Sequence, residues 1–213
     1  MNWFAQALRS SIGKKLIMAI TGLSFCAFLA VHLAGNLIIY KGGDSFNRYA
    51  ENLHSLGVLL TVAEFGLLFF ALVHAGTGLL LFFENRRSRP VPYAVKKSAG
   101  GQSLASATMP YTGLLVLAFV IIHLVNFTFA DKTGTTIFEI ARAKFQNPLY
   151  VFLYTAGMVI VAIHVSHGFW SALQTIGANH PKYFSVIKSA GVAFSIIIGI
   201  GFGLLPIYIS VWF

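Results

Sequence analysis

The run LIMAITGLSFCAFLAVHLAGNLIIY, Leu16 to Tyr40, carries no formal charge. It is longer than the roughly 20 residues that cross about 30 Å of hydrocarbon at a rise of about 1.5 Å each. Four more such runs follow, Val58–Phe83, Leu104–Ala130, Pro148–Leu173 and Ser189–Phe213, and of the five only Val58–Phe83 contains a charged residue, Glu64. Hydrocarbon cannot satisfy open backbone groups, and the polar–apolar alternation of a membrane strand is missing, so the runs read as helices. The expected fold is all-α, an integral membrane bundle of five transmembrane helices. Of the 213 residues, 57% are hydrophobic and only 10% charged, against about 25% charged in an ordinary soluble domain. The five spans leave no room for a soluble domain, and residues 1–213 read as one unit.

The net charge of +9 could suggest a nucleic-acid binder, but its distribution points to a membrane. Basic residues gather in the N-terminal tail (Arg9, Lys14, Lys15), the second connection (Arg86, Arg87, Arg89, Lys96, Lys97) and the fourth (Lys182, Lys188). In the first and third connections, Lys41, Arg48, Lys132, Arg142 and Lys144 are offset by Asp44, Glu51, Asp131 and Glu139. This bias places the N-terminus in the cytoplasm and the C-terminus outside. The N-terminal segment lacks a small-residue cleavage site after its apolar run and reads as retained. The second connection, with Arg-Pro-Val-Pro-Tyr and Gly100-Gly101, reads as an irregular basic loop that meets anionic lipid or docks a soluble partner. The third is expected to hold a short surface helix at Ile137–Phe145. The single cysteine, Cys26, lies inside the first span, which excludes an internal disulfide, a thiolate cluster and a covalent haem attachment motif.

Each of the first four spans contains a histidine: His32, His74, His123 and His164. With alternating helix directions, His32 and His123 fall in the outer half of the bilayer and His74 and His164 in the inner half. Two pairs result, with an expected separation along the bundle on the order of 10 Å. A lone histidine in a membrane helix is often only a hydrogen-bonding residue at a helix interface. Four at matched depths point instead to metal ligation, because neutral imidazoles from opposite helices supply both axial ligands of a haem iron. Gly78 and Gly168, four residues after His74 and His164 and so on the same helix faces, remove side chains that would obstruct a porphyrin. Gly35 and Asn36 can serve His32 similarly. His167 shares the face of His164 and competes with it as fourth ligand; depth slightly favours His167, the His-x-x-x-Gly echo favours His164, and spacing leaves both open. His54 and His180 read as surface residues. Glu64, about six residues inside the outer end, is either a rim residue or a proton-handling group. No fixed-period repeat is evident, but a local echo is: His32-Leu matches His123-Leu, and His74-x-x-x-Gly matches His164-x-x-x-Gly.

The stretch from Ser10 to Leu23 (SSIGKKLIMAITGL), His32-Leu-Ala-Gly-Asn36, the Asn47–His54 run and His164-x-x-x-Gly168-Phe-Trp170 resemble the di-haem cytochrome b subunit of succinate dehydrogenases and fumarate reductases. That resemblance implies two non-covalent haems b, the outer held by His32 and His123 and the inner by His74 and His164, with the glycine and aromatic pair favouring His164 over His167. It further implies flavoprotein and iron–sulfur partner subunits on the cytoplasmic face of the inner membrane, and exchange of electrons with menaquinone or ubiquinone. Its quinone site would lie near the outer face, with Asn36, Tyr40, Glu64 and His54 as candidate lining. Some fumarate-reducing relatives carry a carboxylate two residues before the fourth ligand; here Ala162 stands there, which argues against a proton route built on that group. A di-haem cytochrome b serving a hydrogenase or formate dehydrogenase would use the same ligation. A haem-free transporter would bury histidines too, but lacks support from paired broken helices.

Overall fold

The computed structural model describes residues 2–88 and 104–213. Among these, eight α-helices and no strands occur. Helix α1 (Trp3–Arg9) turns at Ser10 into α2 (Ser11–Asn36), which ends in a 3-10 turn (Leu37–Lys41). The Ser10 hydroxyl caps α2 by accepting the Gly13 amide at 3.0 Å. The two helices meet so closely that a Cβ on Gly13 would lie 2.1 Å from the Ala7 carbonyl oxygen. Then come α3 (Gly43–His54), α4 (Val58–Arg87), α5 (Leu104–His123) with a π-helical turn at Leu124–Thr128, α6 (Ile137–Phe145), α7 (Pro148–Thr175) and α8 (Pro181–Trp212).

Five helical segments are long and apolar enough to cross a membrane: Ser11–Lys41, Val58–Arg87, Ser106–Thr128, Pro148–Thr175 and Pro181–Trp212. They correspond to the five expected spans. The last begins eight residues earlier than Ser189, because Pro181 occupies the first turn and the His180 ring caps it, accepting the Lys182 amide at 3.2 Å. Lys182 and Lys188 therefore lie on α8 and not in a connection. The polarity of the second connection falls outside the described residues from Arg89 onward.

The exterior confirms the solvent these helices are built for. Val58, Leu59, Val62, Phe65, Phe69 and Leu72 of α4 are all exposed, and no residue of α4 is buried. An apolar surface of this extent has no place in water. The most extensive helix contact is between α7 and α8, where a Cβ added to Gly199 would lie 2.9 Å from that of Ala162. One end of the bundle is basic: Lys14 and Lys15 of α2 lie beside Arg87 of α4, and Lys14 forms an ion pair with Glu84. The opposite end is covered by α3 and α6. Phe46, Ala141 and Phe145 of these two helices bury themselves with Ile39, Tyr154, Leu205 and Ile209. The Phe138 amide donates to Asn47 Oδ1 at 3.1 Å, and Arg142 Nε donates to the Phe213 carbonyl at 2.6 Å. The expected surface helix at Ile137–Phe145 is present with those bounds.

Candidate haem-binding site

The fold brings the histidines together in the two expected pairs. At the covered end, the ring centres of His32 (α2) and His123 (α5) lie 6.0 Å apart with planes at 83°. Toward the basic end, those of His74 (α4) and His164 (α7) lie 6.5 Å apart at 75°. Two imidazoles on opposite sides of one metal, each about 2.0 Å from it through a ring nitrogen, hold their centres about 6.3 Å apart. Among the described residues no three of His, Cys, Asp and Glu gather to hold a bare metal ion. Each pair thus offers two nitrogen ligands, the complement to a metal whose other positions a macrocycle fills. The donor set and spacing fit a haem b at each level.

His164, not His167, faces His74. The His167 ring instead stands edge-on to Trp170, 4.7 Å between centres, and its Nδ1 is buried without a hydrogen-bond partner. The spacing of the levels is of the expected order. Thr21 touches His74, and the rise along α2 from Thr21 to His32 is about 16 Å.

The surroundings of the two pairs differ. His32 stacks on Phe28 at 5.1 Å and meets Phe202 at 5.4 Å; His123 is flanked by Phe119, Phe127 and Tyr154. Beyond His123 the chain changes to a π-helical turn, an irregularity frequent at functional sites. Within it, buried Asn126 donates to the Tyr154 hydroxyl at 3.1 Å. The second pair is contacted by hydroxyls: Thr21 Oγ1 lies 2.9 Å from His74 Nδ1, and Thr112 Oγ1 lies 3.2 Å from His164 Nδ1. A Cβ on Gly22 would stand 3.3 Å from His74 Cε1, and one on Gly113 would stand 3.3 Å from His164 Cε1. Small residues at these two positions let each ring lie against the neighbouring helix. Gly78 and Gly168 face the methyl ends of Met18 and Met109, where an added Cβ would be 3.5 and 3.8 Å away.

These contacts expose a repeat longer than the two-residue echo. Met18, Thr21, Gly22 and His32 of α2 recur as Met109, Thr112, Gly113 and His123 of α5 at identical spacing, and His74 and Gly78 of α4 recur as His164 and Gly168 of α7. Both facing pairs therefore join equivalent positions of two helical hairpins. Thr21 and Thr112 were not singled out from sequence, though Thr-Gly-Leu stands at a fixed distance before the histidine in both α2 and α5.

The chain is 25% identical over 155 residues to the succinate dehydrogenase cytochrome b558 subunit of Bacillus subtilis (strain 168), covering 70% of this chain and 72% of that protein. The chain resembles the succinate dehydrogenase cytochrome b subunits. No family model matches it, and no solved structure matches it significantly. Among the described residues, five helices here are long and apolar enough to span a bilayer.

The remaining candidates disperse around the covered end. Asn36 donates through Nδ2 to the His32 carbonyl at 2.8 Å and so borders the first pair. Tyr40 is exposed and packs on Tyr208 at 4.4 Å. Glu64 is exposed on α4. His54, exposed at the end of α3, hydrogen-bonds through Nδ1 to the Ala50 carbonyl at 2.7 Å. Ala162 packs toward Gly199 of α8.

Proposed function

We propose that the chain is the membrane anchor and electron-transfer subunit of a succinate:quinone or quinol:fumarate oxidoreductase, linking partner iron–sulfur centres to membrane quinone by way of two haems b. The observation that carries this reading is the meeting of four histidines as two pairs at 6.0 and 6.5 Å. The similarity to a succinate dehydrogenase cytochrome b558 subunit supports it. His32 and His123 are the proposed axial ligands at the covered end, and His74 and His164 those toward the basic end. A haem held by each pair would supply one-electron transfer.

The chain's own part is to hold ligands at fixed spacing, exclude water and face its partners. Phe28, Phe119, Phe127 and Phe202 keep the first pair in an apolar setting. By the positive-inside bias the basic end faces the cytoplasm, where flavoprotein and iron–sulfur partner subunits would dock and dicarboxylate chemistry would take place. Quinone would react near the covered, outer end, with Asn36, Tyr40, Glu64 and His54 as candidate lining.

The test is a dithionite-reduced minus oxidised spectrum of the purified complex, with haem extraction and quantitation. About two acid-extractable haems b per chain are expected. A folded protein prepared with haem available and containing none would overturn the reading. Succinate or fumarate activity in a copurifying flavoprotein would separate it from the hydrogenase and formate dehydrogenase alternatives.

A further inference from the structure

Each hydroxyl at the second pair has its proton committed elsewhere. Thr21 Oγ1 donates to the Ile17 carbonyl at 2.7 Å, with the Met18 carbonyl at 3.3 Å. Thr112 Oγ1 donates to the Met109 and Thr108 carbonyls at 3.1 and 3.2 Å. A hydroxyl has one proton, so toward the imidazoles both oxygens act as acceptors. With the hydroxyl protons on the helix carbonyls, His74 and His164 carry their protons on Nδ1 and keep on Nε2 the lone pair that binds metal, the tautomer that ligation through Nε2 requires. A hydrogen bond from the non-ligating nitrogen fixes a ligand's tautomer and orientation and raises its basicity. Among the described residues, the rings of His32 and His123 have no hydroxyl counterpart. Asn36 Nδ2 comes no closer than 3.4 Å to His32 Nδ1, and the other neighbours named above are mainly aromatic.

We propose that Thr21 and Thr112 are paired positioning residues that lock His74 and His164 in the Nε2-binding tautomer and lower the reduction potential of the haem between them, leaving the other haem untouched. This rests on the two-haem reading. A more basic axial imidazole stabilises the oxidised iron, so loss of the hydroxyl raises the potential. Serine, which keeps the oxygen, restores it. Back-bonding of a threonine to its own helix is common and would by itself leave a haem potential unchanged.

The experiment is a potentiometric titration of both haems in the purified complex, comparing wild type with Thr21→Val, Thr112→Val and Thr21→Ser. The component belonging to the second pair is identified as the one lost in His74→Ala. The valine variants are expected to raise the potential of that component alone. A tenfold rise in its reduced-to-oxidised ratio at fixed ambient potential would read as about 59 mV for one electron. Thr21→Ser should titrate as wild type. Should Thr21→Val fail to accumulate, Thr112→Val decides the matter. Two haems with unmoved potentials, or equal shifts in both, overturn the proposal while the two-haem reading stands; a wild-type complex without haem overturns both.

Discussion

At the scale of single residues, the paired geometry makes opposed predictions for neighbouring histidines. His32→Ala and His123→Ala should each remove the same haem, and His74→Ala and His164→Ala the other, as read from reduced-minus-oxidised spectra. Loss of one shared centre in His32→Ala and His74→Ala would break the pairing. His167→Ala should retain both haems, since that ring faces Trp170 and not His74. Four of these positions were legible because an imidazole inside a long apolar span is conspicuous. The choice between His164 and His167 was less legible, since residues three apart share a helix face and only the neighbouring helix decides which one meets a partner. Thr21 and Thr112 were hidden for a related reason: hydroxyls in apolar helices usually bond their own backbone, so nothing local marks those that also reach across. Gly22→Leu or Gly113→Leu should displace the adjacent imidazole and deplete the second haem. Gly66→Leu should not, since a Cβ there meets nothing within 4 Å. Pigment content of the three variants distinguishes them.

Among the elements, the spans were readable from charge alone, and their ends were not. Helix α8 starts in the polar stretch Pro181–Lys188, where hydropathy falls but Pro181 and the His180 cap favour a helix. Helix α3 was read as connection because it is too polar to span, although its amphipathic pattern buries Phe46 over the bundle end. Helix α6 carries a capping box: the Glu139 carboxylate accepts the Thr136 amide at 2.9 Å, and the Thr136 hydroxyl accepts the Glu139 amide at 3.3 Å. The bond from the Thr136 backbone, then those from the Thr135 and Thr136 hydroxyls, hold the Glu139 carboxyl below its usual range. With the folded value below the unfolded one, this group stabilises α6 above the unfolded pKa, and the contribution fades as pH falls through the folded one. Amide exchange in α6, corrected for intrinsic rates, should therefore show less protection at about pH 3 than at about pH 6. Glu139→Gln should flatten that difference. At the α7–α8 contact, Gly199→Leu would force its side chain against Ala162 and should destabilise the detergent-solubilised protein by about 1–3 kcal/mol, visible as a lower melting temperature.

For the whole molecule, five spans among the described residues would place Lys15 and Trp212 on opposite faces. In a Cys26→Ser background, cysteine at Trp212 should react with an impermeant maleimide added to intact cells, whereas cysteine at Lys15 should react only after the membrane is opened. The reverse pattern would invert the bundle and move the proposed partner surface to the other side. The recurrence of Met-x-x-Thr-Gly-Leu with its downstream histidine has a consequence for ancestry. Because each facing pair joins equivalent positions, neither hairpin contains a complete binding site, while two copies related by a rotation about the bundle axis contain both. A chain of this form is what duplication and fusion of a gene for a self-associating helical hairpin would leave behind. The fifth span and the two covering helices then break the symmetry, so that substitutions on one side of a once-identical pair no longer have to suit the other.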